Sequence, residues 1–289
     1  MAKEAANTGL GPTTIVAVEQ YYPPGQRIIN DEFAFEMHPF ALRAFIGLAK
    51  YGAIRNRLIN VMEKNFPGLY AGTLSRKKYI DDKIINAVDE INTMVNLGAG
   101  FDTRALRLPQ LLPFAVWEVD QPENIRSKQK RLNKLFNKTP SNIHLVSIDF
   151  DYEDLNTVLC AQGFSNKMKT FFVWEAVTQY LTEEGIKSTF NFLANAASGS
   201  KLAFTYVRKD FIDGKELFGW ERIYKRFIEN NQIWRFGMEV GTWTDFLKKY
   251  GWVQREDIGY RELLEIYIAP KGRQLKATPV ERIVYAEKI

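Results

Sequence analysis

The sequence predicts an α/β fold around a mostly parallel sheet of seven strands. From Met94 onward, short apolar runs of strand length alternate with longer stretches that carry apolar residues at helical spacing. The runs end at glycine or at a carboxylate, which is typical of strands whose loops gather at one edge of a sheet. Hydrophobic residues make up 46% and charged residues 25% of the 289-residue chain, as in an ordinary globular protein.

Residues 1–92 form the first predicted unit, a mainly helical layer packed on the sheet. Apolar and basic residues occur at helical spacing from Phe40 to Met62, and Pro67-Gly68 breaks the pattern. Residues 81–91 place apolar side chains on one face, which favours a helix packed against the sheet.

Residues 93–289 form the second predicted unit, the core that carries the sheet. We predict five parallel strands and two further strands near the C-terminus, at residues 94–97, 114–119, 143–148, 170–174, 201–207, 252–255 and 280–287. Pro122 suits the first turn of a helix whose lysines, Lys128, Lys130 and Lys134, are expected to face solvent. Thr182 is the expected N-cap of a later helix.

Residues 209–250 interrupt this rhythm as a predicted insertion in the core. The stretch from Lys209 to Met238 has a helical pattern and is crowded with aromatic residues. Two interpretations stay open: an internal packing layer, or a helical cap over the ligand edge of the sheet that forms the wall of an acceptor pocket.

Charge and cysteine content exclude several classes of protein. The net charge is only +5 and the basic clusters are short, so a dedicated nucleic-acid binder is not expected. Cys160 is the only cysteine, which excludes an intrachain disulfide and a cysteine-rich zinc site. Residues 1–20 lack the apolar core of a signal peptide, and no apolar run reaches the ~18 residues of a membrane helix. We therefore expect a cytoplasmic protein with no nucleic-acid and no membrane partner.

The predicted strand ends carry the residues that point to a ligand. Gly98 and Gly100 follow the first strand, and Asp120, Asp149 and Glu175 end the next three. Each feature alone is weak, but acids that close three successive strands around a glycine turn favour an adenosine-type ligand. A dinucleotide is disfavoured because an arginine stands at the third-glycine position of the usual fingerprint, and no phosphate-binding P-loop is present.

Three segments resemble the signature of the leucine carboxyl methyltransferase family. They are VNLGAGFDTRALRL at 95–108, WEVDQP at 117–122 and FVWEAVTQYL at 172–181. Residues 76–82 are similar to the arginine-rich segment of that family, which includes phosphatase carboxyl methyltransferases and tetracenomycin-type O-methyltransferases. The resemblance extends over about residues 14–289. It implies a class I, Rossmann-like methyltransferase fold and S-adenosyl-L-methionine as methyl donor.

The resemblance also implies a set of cofactor-binding residues: Arg76, Gly98, Gly100, Asp120, Asp149, Phe150 and Glu175. Asp120 would accept hydrogen bonds from the ribose hydroxyls, and Asp149 with the backbone at Phe150 would hold the adenine. The glycines would lie against the methionine and ribose portions. Glu175 would line the methionine end, and Arg76 would pair with the cofactor carboxylate.

The sequence leaves the acceptor chemistry open. A carboxylate acceptor needs no base at pH 7, whereas a hydroxyl needs one, and histidine is the usual choice. His38, Tyr180 and Tyr206 are the candidate acceptor-side residues, chosen by position. The leading hypothesis is an O-methyltransferase acting on a small, natural-product-like molecule. Protein C-terminal carboxyl methylation and a non-catalytic cofactor-binding module are the alternatives, and the oligomeric state is left open.

Overall fold

The chain, described by a computed structural model over residues 9–150 and 153–289, is built on one seven-stranded sheet. The strands are β1 (Thr93–Leu97), β2 (Ala115–Asp120), β3 (Ile143–Ser147), β4 (Thr170–Trp174), β5 (Lys201–Val207), β6 (Trp252–Ile258) and β7 (Glu281–Lys288). Their order across the sheet is β3-β2-β1-β4-β5-β7-β6.

The pairing confirms the predicted mostly parallel sheet. The strands β1 to β5 pair in parallel, and β7 runs antiparallel to both β5 and β6. The order reverses between β1 and β4, so the carboxyl ends of these central strands open a crevice there. The residues after β1 and β4, which include Gly98 and Glu175, are therefore brought to one place.

Helices cover both faces of the sheet and form an additional layer beside it. They are α1 (Leu10–Glu19), α2 (Phe40–Gly47), α3 (Gly52–Asn65), α4 (Leu69–Ala87), α5 (Arg104–Arg107), α6 (Pro122–Phe136), α7 (Leu155–Ala161), α8 (Glu183–Leu193), α9 (Lys209–Ile212), α10 (Glu221–Ile223), α11 (Trp243–Lys248) and α12 (Tyr260–Leu263). Two π-helical stretches, Tyr224–Asn230 and Leu264–Ile268, continue α10 and α12.

Side-chain alternation along the strands builds two cores. Val95 and Leu97 of β1 face a core completed by α7, α8 and α11, whereas Met94 faces a core completed by α4 and α12. The helices α1, α2 and α3 pack with the start of α4 into a third cluster. None of the helices in residues 9–150 and 153–289 combines the length and apolarity needed to span a membrane.

The helix-start residues predicted from the sequence are confirmed for two helices. Pro122 starts α6, and the Thr182 hydroxyl accepts a hydrogen bond from the Gly185 backbone N–H at the start of α8. The helix expected over residues 40–62 is instead divided into α2, a 3-10 turn and α3, because Tyr51 has extended backbone angles.

Two predictions about orientation and local structure are wrong. Lys128 does not face solvent: it is 1% exposed, and its ammonium lies 2.7 Å from the Glu118 carboxylate in the strand beneath. The helical pattern expected for residues 209–238 is realised only in α9, α10 and the π-helical turn. The remainder is irregular and follows the aromatic packing around Phe211 and Trp220.

Candidate cofactor and acceptor site

The glycine turn after β1 has a shape that only glycine permits. Gly98 has φ +71°, and a Cβ there would lie 2.3 Å from a methyl carbon of Val177. The backbone N–H groups of Gly98 and Ala99 both donate to the Val119 carbonyl, at 2.8 and 3.0 Å. The turn is therefore fixed against β2, with its outer side toward the crevice.

Asp120 closes this turn and retains an unused acceptor position, but it lines neither of the cavities described below. Its Oδ2 accepts from the Gly100 backbone, and its Oδ1 accepts from the backbone of Gln121 and the side chain of Asn124. A carboxylate offers about four acceptor positions, so three protein donors leave it incompletely used. Burial raises the pKa of Asp120. The hydrogen-bond donors act in the opposite direction, but their effect is smaller than that of burial.

Glu175, at the end of β4, lies among three cations. Its oxygens are 2.8 Å from Arg76 Nε, 2.7 Å from Arg104 Nη1 and 3.3 Å from Lys77 Nζ. Burial opposes ionisation, but the three cations together hold the pKa of Glu175 well below its usual range. Arg76 also pairs with Glu281 of β7, so this arginine joins opposite sides of the crevice.

A second carboxylate, Asp102, extends the charge cluster behind the glycine turn. It lies 3.0 Å from Lys77 Nζ and 2.6 Å from Arg104 Nη1, and Arg104 Nε reaches Asp81 at 2.7 Å. Lys77, Asp102 and Arg104 were not among the site residues predicted from the sequence. The sequence does show two charged segments, RKK at 76–78 before β1 and DTR at 102–104 after the glycines. Which of these charges pair with each other depends on the packing of α4 beside the glycine turn, and this packing could not be read from the sequence.

Two adjoining cavities open at this crevice. The smaller measures about 100 Å³ and is lined by the glycine turn, by Asn96, Lys77, Asp102 and Glu175, and by the start of α1. The larger measures about 710 Å³. Pro12, Arg76, Ala176 and Tyr180 line both, so the cavities share one wall.

The larger cavity is mostly apolar and aromatic. The segment predicted as a cap supplies much of its lining, including Trp220, Phe227 and Trp234. Phe227 and Trp234 stack with ring centroids 5.5 Å apart, and Trp234 meets the Tyr180 ring edge-on at 6.3 Å. No histidine lines either cavity among the residues that the structure describes.

Cationic groups also line the larger cavity on its solvent side. Arg222 and Arg226 are exposed residues, one helical turn apart, and both line it. Arg222 hydrogen-bonds the neutral side chain of Asn65. Neither arginine forms an ion pair with a residue of the described part of the chain, so both charges are available to an anionic ligand.

Two of the three acceptor-side candidates lie outside both cavities. His38 is 3% exposed and is hydrogen-bonded to the Thr14 hydroxyl, with Nε2 2.9 Å from Oγ1. Burial lowers the pKa of His38. Tyr206 is fully buried against Trp243, and its hydroxyl donates to Asp257 at 2.9 Å. Of the three, only Tyr180 lines the site.

Asp149 and Phe150 follow β3 and lie outside both cavities. Both are half-buried, and the backbone N–H of Asp149 donates to Glu153 at 2.7 Å. Residues 151 and 152, which come next, are outside the described residues.

The small cavity is lined by a residue with a buried hydrogen-bond donor that has no partner in the part of the chain that the structure describes. Asn96 lines this cavity, and its side-chain nitrogen is buried with no hydrogen-bond partner within the described residues. Because an unpaired buried donor costs about 1–3 kcal/mol, a bound acceptor group there would relieve this cost. Residues 9–150 and 153–289 contain no cluster of side chains that could hold a metal ion.

Comparison with known proteins gives a consistent result. A family model described as leucine carboxyl methyltransferase matches residues 9–194. A Mycobacterium tuberculosis protein named as an S-adenosyl-L-methionine-dependent methyltransferase is 29% identical over 259 residues, which cover 85% of this chain and 83% of the relative. A Mycobacterium avium protein with the same name is 30% identical over 205 residues, covering 70% and 67%.

Solved structures share the fold. A Thermobifida fusca protein described as a methyltransferase has a TM-score of 0.56 at 14% identity, covering 81% of this chain and 88% of its own. A DUF574 family protein of Streptomyces avermitilis has a TM-score of 0.53 at 14% identity, covering 82% and 91%.

Proposed function

The chain belongs to the leucine carboxyl methyltransferase family, and we propose that this S-adenosyl-L-methionine-dependent methyltransferase methylates an oxygen of a small, mostly apolar acceptor. The observation that carries the proposal is the shared wall between the two cavities. A cofactor whose methionine end occupies the small cavity would present its methyl group toward the large one, at Arg76, Ala176 and Tyr180.

The contacts around the glycine turn support the cofactor-side roles in this proposal. Gly98 and Gly100 let the backbone approach the cofactor, and Asp120 accepts a hydrogen bond from a ribose hydroxyl at the acceptor position that protein donors leave open. Arg76 and Glu175 hold the methionine end. The small cavity has room only for this end, so we propose that Asp149 and the Phe150 backbone hold the adenine beyond it.

The acceptor-side chemistry favours a carboxylate. When bound, the cofactor supplies an activated methyl group, so the chain mainly has to orient the acceptor, which can lower a barrier by ~7–11 kcal/mol. A carboxylate is ionised at pH 7 and needs no base. This suits a site whose described walls contain no histidine. Tyr180 would position the acceptor oxygen from the shared wall.

The first experiment tests the cofactor site by calorimetric titration. S-adenosylmethionine and S-adenosylhomocysteine are expected to bind the wild type, and NAD is not. Asp120→Asn removes a charged acceptor of hydrogen bonds worth about 1.5–3 kcal/mol, so the affinity for S-adenosylhomocysteine should fall about 10- to 100-fold. Asp245→Asn, at a solvent-exposed position in α11, is the matched control.

The second experiment tests the acceptor class with radiolabelled cofactor. Panels of apolar carboxylic acids, their alcohol analogues and peptides ending in a free carboxylate are compared at equal concentration. Methyl esters formed from the small acids would support the proposal. Labelling confined to the peptides would assign protein carboxyl methylation instead. Cofactor binding without transfer to any panel would favour the binding-module alternative.

A further inference from the structure

The segment from residue 40 to residue 61 exposes an unusual number of large apolar side chains. Of the eleven exposed large hydrophobic residues among those described, six lie in this segment: Phe40, Phe45, Leu48, Tyr51, Ile54 and Val61. Phe40 is 80% exposed and Phe45 is 52% exposed. Exposed apolar surface concentrated in one segment often marks a site of interaction. We call these six side chains the 40–61 face.

The segment that carries the 40–61 face is also basic. From Met37 to Met62 the sequence contains no aspartate or glutamate, but it contains Arg43, Lys50, Arg55 and Arg57. Arg43 pairs with Glu36, just outside the segment. Within the described residues, the other three cations form no ion pair, and Lys50 and Arg57 are solvent-exposed.

The face adjoins the large cavity. Val61, 55% exposed, is followed directly by Met62, which lines the cavity together with Asn65 of the same helix. The buried side of α2 and α3, through Ile46 and Ile59, packs on α1, whose Ile15 is another cavity residue. The apolar exterior and the apolar interior are thus two sides of one helical layer.

We propose that the 40–61 face docks on an anionic lipid surface, from which the apolar acceptor enters the cavity. A second copy of the chain would bring its own exposed cations, Lys50 and Arg57, to the contact, so charge repulsion disfavours that occupant. An anionic membrane complements both the aromatic side chains and the cations. The delivery step rests on the proposed apolar acceptor, whereas the docking step does not. This docking departs from the expectation of no membrane partner, which rested on the lack of a signal peptide and of a membrane-spanning apolar run.

Vesicle co-sedimentation tests the docking. The full chain is mixed with vesicles of phosphatidylcholine alone or of phosphatidylcholine and phosphatidylglycerol in equal amounts. We expect binding to the anionic vesicles only, and a fall in binding from about 50 mM to about 500 mM salt as charges are screened. Lys50→Gln and Arg57→Gln should each weaken binding about fivefold.

The apolar contribution is tested by Phe40→Ser combined with Phe45→Ser, which should reduce binding at least tenfold. Leu112→Ser combined with Val240→Ser, at exposed apolar positions elsewhere, is the matched control and should bind normally. Titration with S-adenosylhomocysteine on each variant shows whether the fold and the cofactor site are intact.

Three outcomes would overturn the proposal. They are equal binding to both vesicle types, no binding to either, and a dimer in light scattering that Phe40→Ser with Phe45→Ser converts to a monomer. Normal methyl transfer alongside any of these would show that only the docking has failed. Vesicle binding without turnover of small acceptors would instead leave the docking standing and remove the proposed acceptor class.

Discussion

At the scale of single residues, Gly98 shows how a backbone angle and a close contact act together. Gly98→Ala should destabilise the fold by about 1–2 kcal/mol through the positive φ alone, and further through the contact with Val177. The turn would shift, so the affinity for S-adenosylhomocysteine should fall as well. Urea unfolding and calorimetry measure the two effects.

The control separates the two causes. Gly272 also has a positive φ, +64°, but a Cβ there would meet nothing within 4 Å. Gly272→Ala should therefore lose only the stability that the positive φ costs, and it should bind the cofactor normally. Adding Val177→Ala to Gly98→Ala should restore part of the stability. Equal losses at both glycines would show that the contact with Val177 is unimportant.

His38 makes a prediction about pH. Burial lowers the pKa of its imidazole in the folded state, so the unfolded chain takes up a proton first as the pH falls through ~6.5. The stability that neutral His38 contributes is present above this pH and is lost below it. The difference in free energy of unfolding between wild type and His38→Gln should shrink from about pH 7 to about pH 5. A difference that is constant over this range would contradict the assigned direction.

At the scale of elements, the strands were predictable because their apolar runs end in turn residues, and each run matches an observed strand within a few positions. The alternation of side chains along β5 also predicts which way Tyr206 points, which its position near the end of the strand does not. Tyr206 shares its face with Phe204 and Leu202, so it points into the core behind the sheet. The same reasoning fails for Lys128. A lysine on a helix is expected to face solvent, and only the buried Glu118 carboxylate of β2 explains why this one points inward.

The aromatic segment after β5 makes a prediction about the acceptor. Trp234→Leu removes stacking on Phe227 and part of the cavity wall, so KM for the acceptor found in the labelling experiment should rise about 5- to 30-fold, equivalent to ~1–2 kcal/mol of lost apolar contact. The affinity for S-adenosylhomocysteine should not change. Phe246→Leu, in the aromatic cluster with Phe190 and Trp243, should lower stability without changing KM. Parallel losses of acceptor and cofactor binding would show that the segment acts only through folding.

At the scale of the whole molecule, charge joins parts of the chain that are distant in sequence. Arg104 is completely buried and contacts Asp81 of α4, Asp102 behind the glycine turn and Glu175 directly after β4. Arg76 continues the network to Glu281 of β7. The sequence suggested single charged residues here, but a network depends on which elements become neighbours, and this is set by the sheet order.

Removing the central cation tests whether the network holds these elements together. Arg104→Met keeps the length of the side chain but leaves three buried carboxylates short of a partner, so the free energy of unfolding should fall by about 3–5 kcal/mol. Arg104→Lys keeps the charge without the planar fork and should recover only part of the loss. Arg126→Met removes an exposed arginine that pairs with Glu123, and should cost less than ~1 kcal/mol. Urea unfolding at pH 7 measures all three. A loss at Arg104 no larger than that at Arg126 would mean that the sheet and its apolar cores, rather than this buried network, keep Arg76 and Glu175 in position at the crevice.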